Sequence, residues 1–382
     1  MDLVSDTPAL CMKVIGTGGA GNNIVERLHP LLERCFSFAQ IDTDQRTLAL
    51  CTTPEKQVIG QKKLHGIGAG GDSVTAREVA EDDQERLQQC IEGVDLLCII
   101  AGLGGGNGSG ISPVLASLAE TTGALVIAIV TLPFSFEGAR RRQQADSSLV
   151  ELRRYCHAVI PLPNDMVMQQ LDEQASVLDA FSKVDAWIQG ALQSLSNMLL
   201  RPGLFEVDLT SLHNLFQCRG GKTLYGLGEG RGESAAEQAL HELFLCPLLY
   251  LPELSQSAEA LIVHIEGGPD LQITQVNSMM STITKRFTSG ECNLLSATIH
   301  QDYGDKLRVF VLGISESERQ KGYLLPRKTT VARHQHELSL EDRTANRGTF
   351  KITSSNLYQG EDLDIPTFLR RGIKIQDDLT PC

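Results

Sequence analysis

AGLGGGNGSG, residues 101–110, decides how this chain folds. It follows the apolar run Asp95–Ile100 and opens the helical pattern of Ser112–Thr121. Glycines between a strand and a helix let backbone N–H groups approach a phosphate, and the helix N-terminus adds a positive dipole. A loose surface loop is not pinned in this way. Upstream, GTGGAGNN at 16–23 also joins a strand to a helix. Its Gly16, Gly18 and Gly21 satisfy G-x-G-x-x-G, and Asp42 and Asp44 end the next strand, where a ribose-binding acid is expected. Alone, these residues fit NAD nearly as well as GTP. The denser loop at 101–110 breaks the tie, because a triphosphate needs many N–H donors along its length and a Rossmann oxidoreductase needs only its first loop. GIGAGGD at 66–72 is an ordinary turn by itself, but beside the other two it can reach a terminal phosphate. Gly221-Lys222-Thr223 imitates the end of a P-loop, yet Phe216 stands where that motif needs glycine.

Outward from these loops, strand and helix signals alternate from Met12 to about Pro163. Met12–Ile15, Phe36–Ile41, Asp95–Ile100 and Ala124–Thr131 read as strands. Asn22–Cys35, interrupted by Pro30, and the charged Thr75–Ile91 read as helices. Strands apolar on both faces imply a doubly wound parallel sheet. Leu178–Leu200 is one long helical stretch with Gly190 as its weak point, ended by Pro202-Gly203. A second, α+β unit follows, with strands at Ala260–Ile265, Asn293–His300 and Lys306–Leu312 and a helix at Leu271–Phe287. The expected organisation is a nucleotide-binding domain at 12–177, a central helix at 178–204, a second domain at 205–316, a polar linker at 317–358 and a docking segment at 359–382.

The chain has 382 residues, enough for two packed cores, and a formal net charge of -13. That charge argues against a general nucleic-acid binder and against direct binding to anionic lipid. The ten cysteines are scattered, with no C-x-x-C pair, and read as free thiols of a reducing compartment. The nine histidines form no zinc-spaced cluster. MDLVSDTPALCMKV lacks the basic and apolar regions of a signal peptide, and the longest apolar stretch, Ala124–Phe134, is too short to span a bilayer. A cytoplasmic protein without membrane insertion is expected.

GGGNGSG at 104–110 resembles the tubulin signature GGGTGTG, with Asn107 and Ser109 in place of threonines. GAGNN at 19–23, TLPFSFEGARRR at 131–142, PND at 163–165, DAFSKVD at 179–185, GEGRGESAAEQAL at 228–240 and EGGPDL at 266–271 resemble segments of FtsZ, in order. The chain is thus identified as a divergent member of the tubulin/FtsZ family. The resemblance implies a GTP/GDP-binding, self-assembling cell-division GTPase with Mg2+, located in the cytoplasm at the bacterial division site. It places Gly18, Gly19, Ala20 and Gly21 along the phosphates and Asn23 on the sugar or base side. Ala69, Gly70 and Gly71 approach the terminal phosphate, while Gly104, Gly105, Gly106, Asn107 and Gly108 wrap the chain of phosphates. Glu137 and Arg141 hold ribose and phosphate; Asn164 and Asp185 read guanine, with Phe181 stacked on it. No side chain is singled out as a metal ligand.

In this family the hydrolytic site is split, one subunit supplying nucleotide and the next supplying acids from the loop after the central helix. The family loop reads N-x-D-F-A-D; here it is Glu206-Val207-Asp208-Leu209-Thr210-Ser211. Asp208 keeps the first acid, Ser211 replaces the second, and Glu206 replaces the asparagine. A hydroxyl orients water less well than a carboxylate, so slow turnover is expected. LDIPTFLRR at 363–371 is close to the FtsZ C-terminal peptide. Pro366 restricts its unbound states, Leu363, Ile365, Phe368 and Leu369 are apolar anchors, and Asp364, Arg370 and Arg371 supply charge. The partner implied is a membrane-tethering division adaptor of the FtsA, ZipA or SepF kind. Two other readings stay open: a nucleotide-binding scaffold with little hydrolysis, which Ser211 keeps alive, and an NAD-dependent oxidoreductase, which leaves residues 104–110 and the tail without a role.

Overall fold

A computed structural model describes residues 10–168, 171, 174–216, 221–250 and 258–315, together with 357–358 and 361–362. The first unit runs β1 (Met12–Thr17), α1 (Gly18–Leu32), β2 (Ser37–Asp42), α2 (Gln45–Ala49), β3 (Glu55–Val58), α3 (Gln61–Leu64), α4 (Ser73–Asp82), α5 (Gln84–Ile91), β4 (Leu96–Gly102), α6 (Gly106–Thr122), β5 (Leu125–Leu132), α7 (Ala139–Tyr155), β6 (Ala158–Pro163) and α8 (Asn164–Met168). The six strands form one parallel sheet in the order β3-β2-β1-β4-β5-β6. The order reverses between β1 and β4, so a crevice opens at their carboxyl ends, where ligands of such sheets bind. Both dense glycine loops leave the sheet at that point.

The apolar strands lack alternation because both faces are covered. On β4, Leu96, Cys98 and Ile100 join the core with α1, while Leu97, Ile99 and Ala101 join the core with α4, α5 and α6. Three sequence expectations need correction. The helix expected at Thr75–Ile91 is two helices broken at Asp83, whose carboxylate accepts the Gly60 N–H at 2.7 Å. The helix expected from Asn22 begins at Gly18, and it continues through Pro30.

α9 (Val177–Leu200) opens on a capping box between Ser176 and Asp179. Its buried stripe, Val184, Trp187, Ile188, Ala191, Leu192, Leu195 and Met198, faces a core shared with both sheets. Gly190 is where α9 passes the second sheet: a Cβ there would lie 2.5 Å from Leu227. Then come β7 (Gly203–Phe205), α10 (Leu209–Leu215), β8 (Thr223–Arg231), α11 (Ala235–Leu245), β9 (Ala258–Gly267), α12 (Ile273–Phe287), β10 (Thr288–Ile299) and β11 (Lys306–Ile314). Their sheet runs β7-β10-β9-β11-β8 and is mixed, β9 and β10 being parallel. Thr223, the last residue of the P-loop imitation, begins β8. Leu357-Tyr358, at the end of the expected linker, pairs with Glu361-Asp362, in the expected docking segment, in a two-residue antiparallel ladder. The rest of the linker and the docking residues Leu363, Asp364, Ile365, Pro366, Phe368, Leu369, Arg370 and Arg371 lie outside the described residues.

Candidate functional site

At the crevice between β1 and β4 lies a cavity of about 860 Å³. Its lining includes Gly19, Ala20, Asn23, Ala69, Gly70, Gly71, Gly105, Gly106, Asn107, Gly108, Glu137, Arg141, Asn164, Phe181 and Asp185, so fifteen of the residues expected to touch nucleotide converge on it. Two helices point their N-termini into it. Neither α1, after Thr17, nor α6, after Gly105, has a side-chain cap or an acid in its first turn. Their first N–H groups and dipoles are therefore free of competing carboxylates at the place a polyanion needs them. A side chain added at Gly19, Gly70, Gly71 or Gly105 would meet nothing within 4 Å, so these glycines leave room on the cavity side.

Gly18, Gly21 and Gly104 are not part of the lining; they shape it from behind. A Cβ on Gly18 would sit 2.6 Å from the Gly108 nitrogen, and one on Gly21 would sit 2.3 Å from the Ile100 oxygen. The first loop is thus packed directly on the second, and no larger residue fits between them. Gly104 lies against the Arg141 carbonyl.

Asn107 has a definite task. Its Nδ2 donates to Asp42 Oδ1 at 2.5 Å, and its Oδ1 accepts from Thr43 Oγ1 at 2.9 Å. Asp42 is 2% exposed and also accepts from Asn22 Nδ2 at 3.1 Å and from the Asp44 N–H at 2.9 Å. Burial, with the nearby Asp44 charge, pushes the Asp42 carboxyl up, while the bonds from Asp44, Thr43 and Asn107 pull it back. The acid that reads as a ribose ligand in a dinucleotide site here ties the loop after β1 to the loop after β4.

The residues expected to read the base form another wall. Asp185 accepts from Arg27 Nε at 2.5 Å and Nη2 at 2.9 Å, and Phe181, 43% exposed, lies one turn earlier on α9. Arg27 was not foreseen in the sequence, although it stands one turn after Asn23 on the same face of α1. Glu137 pairs with Arg141 one turn on and accepts the Phe134 N–H at 2.9 Å. Phe134 and Phe136 stack at 4.9 Å on the rim, and nothing in the residue pattern signalled them.

Glu206 and Asp208 do not meet this cavity. They follow the far end of α9, whose 24 residues span roughly 36 Å. Asp208 caps α10: it accepts the Ser211 N–H at 2.7 Å and the Ser211 hydroxyl, which together hold its carboxyl below the usual range. Among the described residues no group of three or more His, Cys, Asp or Glu side chains is arranged to hold a metal. Among them, too, no helix is long and apolar enough to cross a membrane.

Comparison with known proteins agrees with this geometry. The Tubulin/FtsZ family GTPase domain matches residues 11–172, and the FtsZ family C-terminal domain matches residues 221–315. An FtsZ dimer from M. jannaschii is similar at 27% identity, covering 85% of this chain and 96% of that one, with a TM-score of 0.72. CetZ2 from Haloferax volcanii, solved as a GTPγS-bound protofilament, shares the fold at 24% identity, covering 82% of this chain and 96% of that one, with a TM-score of 0.67. With the two domain matches in order along the chain and the glycine loops meeting at the switch point of the sheet, the chain belongs to the Tubulin/FtsZ family of GTPases.

Proposed function

We propose that this chain binds GTP with Mg2+ in the cavity at the β1–β4 switch point and polymerises head to tail, each joint completing a slow GTPase. The observation that carries this is the separation along α9. Phe181 and Asp185 line the cavity at one end, and Glu206 and Asp208 follow the other. One copy cannot bring them together; the loop of a second copy, stacked on the first, can. Exposed apolar side chains suit such stacking at both ends: Ile67 and Phe136 on the cavity rim, Leu204 and Phe205 before the loop.

The roles follow from chemistry. The N–H groups of α1 and α6 and the glycine loops bind the phosphates. Asp185 and Asn164 select guanine, Phe181 stacks on it, and Glu137 and Arg141 hold ribose and phosphate. Mg2+ neutralises charge on the triphosphate when bound. Glu206 and Asp208 orient the attacking water from the neighbouring copy. Residues 363–371 dock a membrane-tethering adaptor, which places the filament at the bacterial division site in the cytoplasm. A second reading, a filament scaffold with little hydrolysis, is favoured by one observation: Asp208 is held by Ser211.

Phosphate release from GTP against protein concentration, with sedimentation of the same samples, separates these readings. Release that begins at the concentration where polymer appears is the expected result. Polymer without release points to the scaffold. Neither polymer nor release with GTP would refute the proposal and return attention to a dinucleotide.

A further inference from the structure

Where α9 crosses the second sheet, a group of charged side chains is buried away from the nucleotide cavity. Glu266 on β9 is 0% exposed. Its Oε1 accepts from Ser194 Oγ at 2.8 Å, and its Oε2 accepts from Asn197 Nδ2 at 2.9 Å and Tyr303 OH at 2.7 Å. His300 Nε2 lies 3.4 Å and His264 Nε2 3.6 Å from its oxygens. Next to it Arg308 on β11 donates to Glu229 on β8 at 2.7 Å and to Gln193 Oε1 at 3.1 Å. Gln193, Ser194 and Asn197 all belong to the last turns of α9, so strands β8, β9 and β11 grip one stretch of that helix.

A buried charge is costly unless its partners are well placed, and an apolar contact of the same size often stabilises as much. What the polar group adds is direction. An apolar helix face can settle in more than one register, a turn apart. A carboxylate that needs Ser194 and Asn197 together accepts one register only. Asn197 carries the constraint onward: its Oδ1 accepts from Arg201 Nε at 3.1 Å, and Arg201 is the C-cap of α9. From there the chain passes Pro202 into β7, where Gly203 and Phe205 pair with Thr298 and Ala297 of β10, and then reaches Glu206.

We infer that Glu266 is a positioning residue for the hydrolytic loop: through Ser194 and Asn197 it fixes the register of the end of α9 and so places Glu206 and Asp208 in the joint between copies. The inference rests on the proposed shared site for its effect on hydrolysis, but its structural half does not need GTP turnover.

Ser194→Ala tests it in the full chain, since alanine keeps the helix and removes one donor. Backbone hydrogen exchange with GDP bound should speed up at residues 203–212 and stay unchanged in α1. GTP affinity should be unchanged, and phosphate release per polymerised subunit should fall at least about threefold, against the roughly hundredfold that a 1 Å misplacement can cost. Ser194→Thr, which keeps the hydroxyl, should restore both. Glu266→Gln should give the larger effect; if it fails to fold, Ser194→Ala decides. Exchange at 203–212 that stays at the wild-type rate would overturn the inference. So would a lower melting temperature with unchanged release per polymerised subunit, the mark of a purely structural role. If the wild-type polymer releases no phosphate, the shared-site reading fails, and the exchange result alone decides whether Glu266 sets the loop.

Discussion

Ser211 does more than leave the place of an acid. It donates both its hydroxyl and its N–H, the latter at 2.7 Å, to Asp208, so the remaining carboxylate is held below the usual range by hydrogen bonds. A lower pKa makes a weaker base toward water. An aspartate at 211 would act in the opposite sense, because two carboxylates one helical turn apart raise each other's pKa. Ser211→Asp should therefore raise phosphate release per polymerised subunit by about tenfold or more. Steady-state release normalised to sedimented polymer reads this, and a rate equal to wild type would show that Ser211 does not limit turnover. This substitution was legible in the sequence, because the loop is a local pattern. The task of Asn107 was not: Asp42 and Thr43 lie more than sixty residues away, and only the folding of β2 beside β1 brings them to the loop after β4. Local spacing singled out residues that come to line the cavity; pairings between loops needed the sheet.

The elements that were legible share one property, a run of apolar residues with a glycine or a proline at its end. β1 and β4 close on glycine, while β5 and α9 are stopped by Pro133 and Pro202. β3, with the half-exposed sequence EKQV, has no such run, and β8 hides behind its glycines. TLYGLGEGR looks like a turn, yet Gly226, Gly228 and Gly230 are spaced by two and so share one face of a strand. That face receives α11 at close range: a Cβ on Gly228 would lie 2.1 Å from the Ala239 oxygen, and one on Gly230 would lie 2.0 Å from the Ala235 oxygen. Glycine in a strand marks the close approach of another backbone. Gly228→Ala must push α11 outward, an overpacking that costs about 1–3 kcal/mol. Thermal melting should show a lower midpoint, and GTP affinity of whatever stays folded should be unchanged, since the cavity is built on the other sheet. An unchanged midpoint would mean that α11 is not seated on these glycines.

On the scale of the whole molecule, α9 is both the core between the two sheets and the rod that separates the cavity from the loop of Glu206 and Asp208. The ionisable groups that hold it therefore connect acidity to its seating on the second sheet. Burial pushes His264 down from 6.5 to about 4, against the pull of Glu266. Burial would raise Glu266, but His300, His264, Arg308 and Tyr303 hold it down, from 4.5 to about 2. In both cases the unfolded chain takes up a proton at a higher pH than the folded chain does. Stability is then fully present above the unfolded value and is lost as pH falls through the window below it. For His264 that window runs from 6.5 to about 4, and for Glu266 from 4.5 to about 2. The melting temperature should accordingly begin to drop below about pH 6.5, before carboxylates titrate in the unfolded chain, and drop more steeply below about pH 4.5. His264→Asn should flatten the upper part of the profile and narrow the lower part without removing it, because the carboxylate loses one of the groups that hold it down but keeps His300, Arg308 and Tyr303. A wild-type profile that is flat from about pH 7 to pH 5 would show that His264 is not held neutral between the sheet and α9.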